Sequence, residues 1–315
     1  MKNIMKRIGK IALTVLGSIL ALVLLVLGGL NIAKFAIYAD YYGMKTDVCI
    51  NPGLGDDFTC QGICTNEDTK QFLISGYMKD HSASRIYVTN TDNQSYYVTL
   101  TKDGKAYMGH LGGIALYGDR VYLSDNHSLL LLSLQSLLTA SNGSSVEIDE
   151  EMPVNNNADF VYADEQYVYV GEFHNGVQYV ADHPYETPDG TQHAIVSRYT
   201  HDDLTTPDRI YSICNKVQGI CFTPDGKVVM STSYGLTDSY YYVYNEKEAI
   251  DSGKTLDGVP VYYFTNCQKE LKGPAMSEGL DWYEGRVITL TESASNKYIF
   301  GKFFFANKIV ALDFS

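Results

Sequence analysis

The sequence lacks the motifs by which nucleotide-dependent and serine-dependent enzymes are most often found. It has no P-loop, no dinucleotide-binding glycine fingerprint and no G-x-S-x-G nucleophile elbow. It has one tryptophan, eight prolines and no long low-complexity tract, which argues against a disordered chain. No complete catalytic motif identifies a reaction, so architecture is the stronger guide to function.

Acidic residues are absent from residues 1–39. Five of the 24 basic residues lie there and none of the 37 acidic ones, so the remainder of the chain is strongly acidic. A domain of that charge would repel a phosphate backbone, and we therefore expect no nucleic-acid partner. The same charge favours solubility or the attraction of cations.

Residues 11–33 contain no charged residue. As a helix this run would span roughly 34 Å, which is enough to cross a bilayer. It is longer than the apolar part of a secretory signal, and no attractive small-x-small cleavage site follows it. We therefore expect an uncleaved signal anchor over residues 11–39, in contact with lipid through residues 11–33. Four of the five basic residues precede the run, so residues 1–10 should stay in the cytoplasm and residues 40–315 should lie outside.

Six cysteines in an exported domain allow disulfides. Cys214 with Cys221 and Cys49 with Cys267 are two pairings that the sequence does not rank. The alternative is that Cys64 and Cys221, which lie within apolar runs, are small buried hydrophobic residues.

One four-residue phrase occurs twice, as Gln61–Cys64 and as Gln218–Cys221. Looser versions begin near residues 112, 158 and 278. Each is followed by a polar turn and then by a β-branched or aromatic run, which favours a strand. Five similar units of this length are typical of propellers and predict an all-β domain.

Each of the first four units supplies four short strands. The predicted outermost strands are Ser95–Thr101, Val146–Ile148, Arg209–Ile213 and Val259–Thr265. The fifth unit has only three strands before Ser315, which would leave an open sheet edge. We therefore expect residues 46–50 to pair with residues 309–314 and close the ring.

Residues 46–315 resemble the β-propeller superfamily, and residues 219–227 look like a first strand, Pro-Asp-Gly turn and second strand of the NHL or gluconolactonase-like type. The resemblance implies a β-propeller behind one transmembrane helix. Five blades are favoured and six are the alternative. It also implies that the links entering the first strands and leaving the second strands lie on one face, around the channel mouth.

Polar residues of those links are candidates for facing a ligand: Gln61, His110, Asn157, Asp159, Gln218 and Tyr234. The two longest insertions, residues 174–193 and 293–308, would overhang the same mouth. Phe303–Phe305, in the second insertion, either packs on its blade or forms an exposed contact patch.

Four carboxylates, Asp125, Glu172, Glu278 and Glu292, could form an acidic ring at the mouth, with the oxygen ligands that Ca²⁺ prefers. Gluconolactonase-like and paraoxonase-like propellers hold a catalytic divalent cation with such residues, and His174 would then be a proton-transfer partner. The alternative is that these acids cap strand ends or solvate a rim.

These sequence features are compatible with three functional interpretations. The favoured one is a membrane-tethered binding module that holds an extracellular ligand or protein at the channel mouth. The alternative is a divalent-metal-dependent hydrolase of the lactonase or esterase type. A third reading, glycan processing, requires a carboxylate pair at the mouth.

Overall fold

The computed structural model describes residues 2–314; Met1 and Ser315, at the ends of the predicted segments 1–10 and 40–315, lie outside the described residues. The chain begins with α1 (Lys2–Ile37), which is followed by the short α2 (Ala39–Met44). Within the described part of the chain, α1 is the one helix long and apolar enough to cross a membrane. It starts nine residues before the predicted run because Lys and Arg are good helix formers.

Strands make up most of the remaining chain. The first group is β1 (Lys45–Ile50), β2 (Phe58–Asn66), β3 (Gln71–Met78), β4 (Arg85–Asn90), β5 (Ser95–Lys102), β6 (Lys105–Ala106), β7 (Gly113–Tyr117), β8 (Arg120–Asp125) and β9 (Ser128–Ser133). After the helix α3 (Leu134–Thr139) come β10 (Ser145–Glu147), β11 (Glu150–Pro153), β12 (Phe160–Ala163), β13 (Tyr167–Gly171), β14 (Tyr185–Thr187), β15 (Gly190–Gln192), β16 (Ala194–Thr200) and β17 (Arg209–Ile213). The last group is β18 (Val217–Phe222), β19 (Lys227–Thr232), β20 (Ser239–Asn245), β21 (Ile250–Leu256), β22 (Val259–Tyr263), β23 (Lys269–Gly273), β24 (Ser277–Tyr283), β25 (Arg286–Thr291) and β26 (Lys308–Leu312). Short 3₁₀ helices lie at Glu246–Glu248 and Phe300–Phe304.

These strands form five four-stranded antiparallel blades. From the innermost strand outward they are β2-β3-β4-β5, β7-β8-β9-β11, β12-β13-β16-β17, β18-β19-β20-β23 and β24-β25-β26-β1, which we number blades one to five. The five innermost strands contact one another in a closed ring. The predicted all-β, five-bladed propeller is confirmed, and the resemblance to that superfamily holds at the level of the fold.

Blade five is built from both ends of the domain. β1, which directly follows the helices, pairs antiparallel with β26, with Lys45 opposite Leu312 and Ile50 opposite Lys308. The last strand before the carboxyl terminus therefore has a partner on both sides.

Two predicted outermost strands are wrong. β10, predicted as part of blade two, pairs in parallel with β5 of blade one, and β22, predicted as part of blade four, pairs in parallel with β17 of blade three. The actual fourth strands are β11 and β23. Both are edge strands rich in charged residues, so they lack the apolar pattern by which a strand is detected.

Glycine allows the inner strands to pack closely at the axis. A Cβ on Gly62 would lie 2.5 Å from the backbone nitrogen of Ile114, and one on Gly279 would lie 2.9 Å from the Cα of Gly62. Gly219 likewise faces Gly279 at 2.9 Å. The backbones of blades four, five, one and two therefore meet where no larger residue fits.

The two ends of the propeller differ in their links. The links that enter the inner strands and those that follow the second strands lie at one end, which we call the mouth face. The other links, including the short turns between first and second strands, lie at the opposite end, the turn face.

All six cysteines are free, so neither predicted disulfide pairing is formed.

Candidate functional site

Three of the inner strands carry a register shift at the mouth face. The shifts lie between Cys60 and Gly62, between Val217 and Gly219, and between Ser277 and Leu280. Gln61, Gln218 and Glu278 are within these bulges. A bulge leaves one residue out of the ladder and changes the direction of its side chain, which is why bulges are common beside binding sites.

Gln61 joins three blades. Its amide nitrogen donates to a carboxylate oxygen of Glu292 in blade five at 3.0 Å, and its amide oxygen lies 2.6 Å from Nε2 of His110 at the entrance of blade two. The His110 ring stacks on Tyr77, with ring centroids 4.4 Å apart. The structure therefore brings together two of the predicted ligand-facing residues and one of the predicted acids.

Glu292 forms a buried carboxyl pair with Glu278. Burial raises the pKa of Glu292 to about 7, although Tyr298, Lys297 and Gln61 act in the opposite direction. Burial, followed by the charge of Glu292, raises the pKa of Glu278 well above its ordinary value. Near neutral pH this pair therefore holds protons that ordinary glutamates would have lost.

Lys297 supplies the positive charge beside this pair. Its ammonium contacts the Tyr77 hydroxyl and lies 4.4 Å from the centroid of the Tyr77 ring and 5.0 Å from that of Tyr298. Burial lowers the pKa of Lys297, against the attraction of Glu292 and Glu278. We refer to Gln61, Tyr77, Glu278, Glu292, Lys297 and Tyr298 as the mouth cluster.

The mouth cluster presents both kinds of hydrogen-bonding group. Lys297 and the amide nitrogen of Gln61 are donors, the carboxyl groups are acceptors when ionised and donors when protonated, and the two tyrosines add hydroxyls and ring faces. A shared proton on the carboxyl pair would leave one negative charge against the one positive charge of Lys297. Such a site suits a neutral ligand rich in polar groups.

The other two predicted metal ligands, Asp125 and Glu172, have hydrogen-bond partners other than the carboxyl pair. Asp125 accepts hydrogen bonds from the backbone N–H of His110 at 3.0 Å and from the Tyr107 hydroxyl. Glu172 accepts from the backbone N–H of Ile195 at 3.1 Å and contacts Nδ1 of His183 at 2.9 Å. Between residues 2 and 314 there is no group of three or more His, Cys, Asp or Glu side chains that could hold a metal ion. Among the described residues, the four predicted acids are therefore not gathered into one ligand set.

His174 lies away from the carboxyl pair. Its Nδ1 is 3.1 Å from both the backbone nitrogen and oxygen of Ala181, and its ring stacks on that of His193 at 4.7 Å. This buried histidine packs the long insertion of blade three. In the same insertion, a hydrogen bond to Glu172 raises the pKa of His183.

Asn157 and Asp159 lie at the entrance of blade three. The backbone N–H of Asn157 donates to Glu172 at 3.3 Å, and a carboxylate oxygen of Asp159 accepts from the backbone N–H of Phe173 at 2.7 Å. Burial raises the pKa of Asp159 to about 6. These hydrogen bonds order the blade-three insertion.

Gln218 and Tyr234 lie in blade four. The amide of Gln218 reaches the Ser233 hydroxyl at 3.5 Å, and the Tyr234 hydroxyl reaches Gln178 at 3.3 Å. Tyr234 also lines a groove of about 840 Å³ on the flank of this blade, together with Tyr240, Tyr242 and Lys216. The groove is open and half polar, and it does not include the carboxyl pair.

Sequence reasoning did not select Lys297, Tyr298 or His183. All three lie in the insertions that were expected to overhang the mouth. Insertion length indicates which segment lies near a site, but the side chain that turns inward depends on the fold of that segment.

No protein-family model matches the sequence, and no curated protein matches it. Solved structures with a similar fold include the PQQ-bound aldose sugar dehydrogenase of Streptomyces coelicolor, at 13% identity and a TM-score of 0.44 over 78% of this chain and 76% of that one. Hydrazine synthase of Kuenenia stuttgartiensis matches at 11% identity and 0.40 over 75% of this chain and 57% of that one. A chain of a nidogen/laminin complex matches at 10% identity and 0.39, over 74% and 72%. Identities and scores this low carry no argument about function.

Proposed function

We propose that this protein is a membrane-tethered binding module that holds a neutral, hydroxyl-rich ligand such as a glycan at the mouth cluster. The proposal rests on the arrangement in which the buried Gln61 bridges Glu292 and His110 beside the ammonium of Lys297. Tyr77, Lys297 and Tyr298 remain partly exposed, so a ligand can reach this group of convergent polar side chains from solvent.

The tether is α1, which has the length and composition to cross a bilayer. Its preceding basic residues favour an amino terminus in the cytoplasm and a propeller on the outer side.

The ligand class follows from the balance of groups in the cluster. A glycan offers hydroxyls that both donate and accept, and its apolar ring face stacks on aromatic side chains such as Tyr77 and Tyr298. A strongly anionic ligand would meet the carboxyl pair, and a strongly cationic one would meet Lys297. Both would pay a desolvation cost without full compensation.

The test is binding of the full-length protein, in detergent micelles, to an array of neutral glycans. Glu292→Gln and Lys297→Met should each weaken binding about tenfold or more, because each removes a charge-assisted hydrogen bond. Lys105→Met, the same change at an exposed lysine far from the cluster, should leave affinity unchanged. Unchanged glycan affinity in both Glu292→Gln and Lys297→Met would refute the site. Absence of binding to every glycan on the array would refute the ligand class.

Glycoside cleavage is a second candidate, favoured by the carboxyl pair alone. Burial raises both pKa values, that of Glu278 well above the ordinary range and that of Glu292 to about 7, so one group could stay protonated as a general acid while the other ionises. Release of reducing ends from any glycan that the array identifies, and its loss in Glu278→Gln, would establish this activity.

A further inference from the structure

The membrane helix joins the propeller at the mouth face. The side-chain amide of Asn31 donates to the backbone oxygen of Lys302 at 3.0 Å and accepts from the backbone N–H of Phe305 at 3.0 Å. The Lys34 ammonium donates to the backbone oxygen of Phe305 at 2.5 Å. Three hydrogen bonds therefore fix the end of α1 to the link between β25 and β26.

The position of Asn31 sets the depth of this junction. A hydrocarbon core of about 30 Å is crossed by about 20 helical residues, which from Ile11 ends at Leu30. Asn31 is the next residue. The backbone of the β25–β26 link at Lys302 and Phe305 therefore lies at the outer boundary of the hydrocarbon.

The same face carries most of the exposed apolar side chains of the propeller. Ile299 and Phe300 in the β25–β26 link are 78% and 61% exposed, and Val177 in the β13–β14 link is 88% exposed. The mouth-face links contribute Met108, Val177, Tyr179, Val180, Tyr234, Leu236, Ile299, Phe300 and Phe305, and Ile50 lies at the mouth-face end of β1. Among the described residues, the turn-face end has Tyr117, the last residue of β7, and Ile250, the first residue of β21. An apolar surface of this kind indicates a partner.

Basic side chains accompany this apolar set next to the helix. Lys34 and Lys302 lie at the junction, in a propeller that is otherwise strongly acidic. Aromatic and aliphatic side chains flanked by lysine are the composition that binds a membrane interface, where the chains enter the headgroup region and the ammonium groups meet anionic lipid. The apolar patch of the link includes Phe305, so the exposed alternative for Phe303–Phe305 holds for this residue.

We infer that the mouth face lies against the bilayer that α1 crosses, with the apolar side chains of its links in the interfacial layer. The mouth cluster then opens toward the lipid surface, and its ligand is one carried by that membrane. This inference rests on the proposed membrane tether.

The test uses the single native tryptophan, Trp282, which lies at the turn-face end of β24. Full-length protein is reconstituted into phosphatidylcholine vesicles whose acyl chains carry bromine, a quencher of nearby tryptophan. In a Trp282→Phe background, Phe300→Trp places the reporter on the mouth face. We expect severalfold stronger quenching at position 300 than at the native Trp282.

Val177→Trp in the same background is a second reporter on a different link, so a folding defect at one site leaves the other informative. Circular dichroism of each variant checks the fold. Equal quenching at the mouth-face positions and at Trp282 overturns the orientation. Retention of the wild-type protein in the vesicles after alkaline carbonate washing tests the tether separately: protein that washes off refutes the membrane anchor itself.

Discussion

The innermost strands of blades one and four contain the same four residues, Gln-Gly-Ile-Cys. In both blades the glutamine lies in a bulge, and the glycine packs against the backbone of the next blade. Their side chains nevertheless have different surroundings. Gln61 is buried between Glu292 and His110, whereas Gln218 is half-exposed and reaches only Ser233, at 3.5 Å.

The difference originates in the neighbouring blades. Blade five presents Glu292 and the insertion with Lys297 to Gln61, whereas the partner of Gln218 is a serine at the end of its own blade's second strand. Identical local sequence therefore fixes the strand and the close packing, while the contacts made by the polar end are decided by residues distant in sequence.

The largest expected effect on stability comes from replacing the glycine of the repeated phrase, which is Gly62 in blade one and Gly219 in blade four. A Cβ at position 62 would lie 2.5 Å from one backbone atom and 2.7 Å from another, so Gly62→Ala should destabilise the protein by about 4 kcal/mol or prevent folding. Gly219→Ala, whose nearest contacts are at 2.9 Å, should cost less. Urea unfolding of full-length protein in micelles measures both. Gly55→Ala, which meets no atom within 4 Å, is the control, and a Gly62→Ala variant as stable as the control would contradict the close packing.

The next largest expected effect is a pH dependence of stability contributed by Glu292, the carboxyl partner of Gln61. The pKa of Glu292 is about 7 in the folded protein against an ordinary 4.5, so the folded state binds the proton more tightly between these values. The free energy of unfolding should therefore fall as pH rises from 4.5 to 7, by on the order of 3 kcal/mol, and remain lower above that.

Glu292→Gln removes this titration and should reduce the fall in stability with pH, as measured by urea unfolding at pH 5 and pH 8; the part of the fall that is due to Glu278 and Asp159 should remain. Gln218→Leu should keep the wild-type slope because no carboxyl group contacts Gln218 in the described structure. An unchanged slope in Glu292→Gln would assign the pH dependence to other groups.

The smallest expected effect separates the two glutamines directly. Gln61→Leu leaves Glu292 without one donor and His110 without its amide partner, which should cost about 1–2 kcal/mol of unfolding free energy. Gln218→Leu removes only a long contact at a half-exposed position and should stay within about 0.5 kcal/mol of wild type. Equal losses of unfolding free energy in the two variants would mean that contacts with the neighbouring blades do not add to the stability provided by Gln61.

Much of the architecture was predictable because its signals are local. Turn residues and apolar strands mark the first three strands of each blade, and the same spacing predicted five blades. The outer strands were less predictable, since β11 and β23 are polar edges and β10 and β22 cross to a neighbouring blade. For the site, Gln61 and Glu292 were selected by their position at strand ends. Lys297 and Tyr298 were not, because the fold of an insertion decides which side chain turns inward.

The pairing of β1 with β26 also governs how the protein is made. The two strands are about 260 residues apart, so β1 is synthesised long before its partner. Until then its hydrogen-bonding edge is open, and blade five cannot form. A chain interrupted anywhere before Lys308 would leave an unsealed ring, which makes closure of this blade an intrinsic check on complete synthesis.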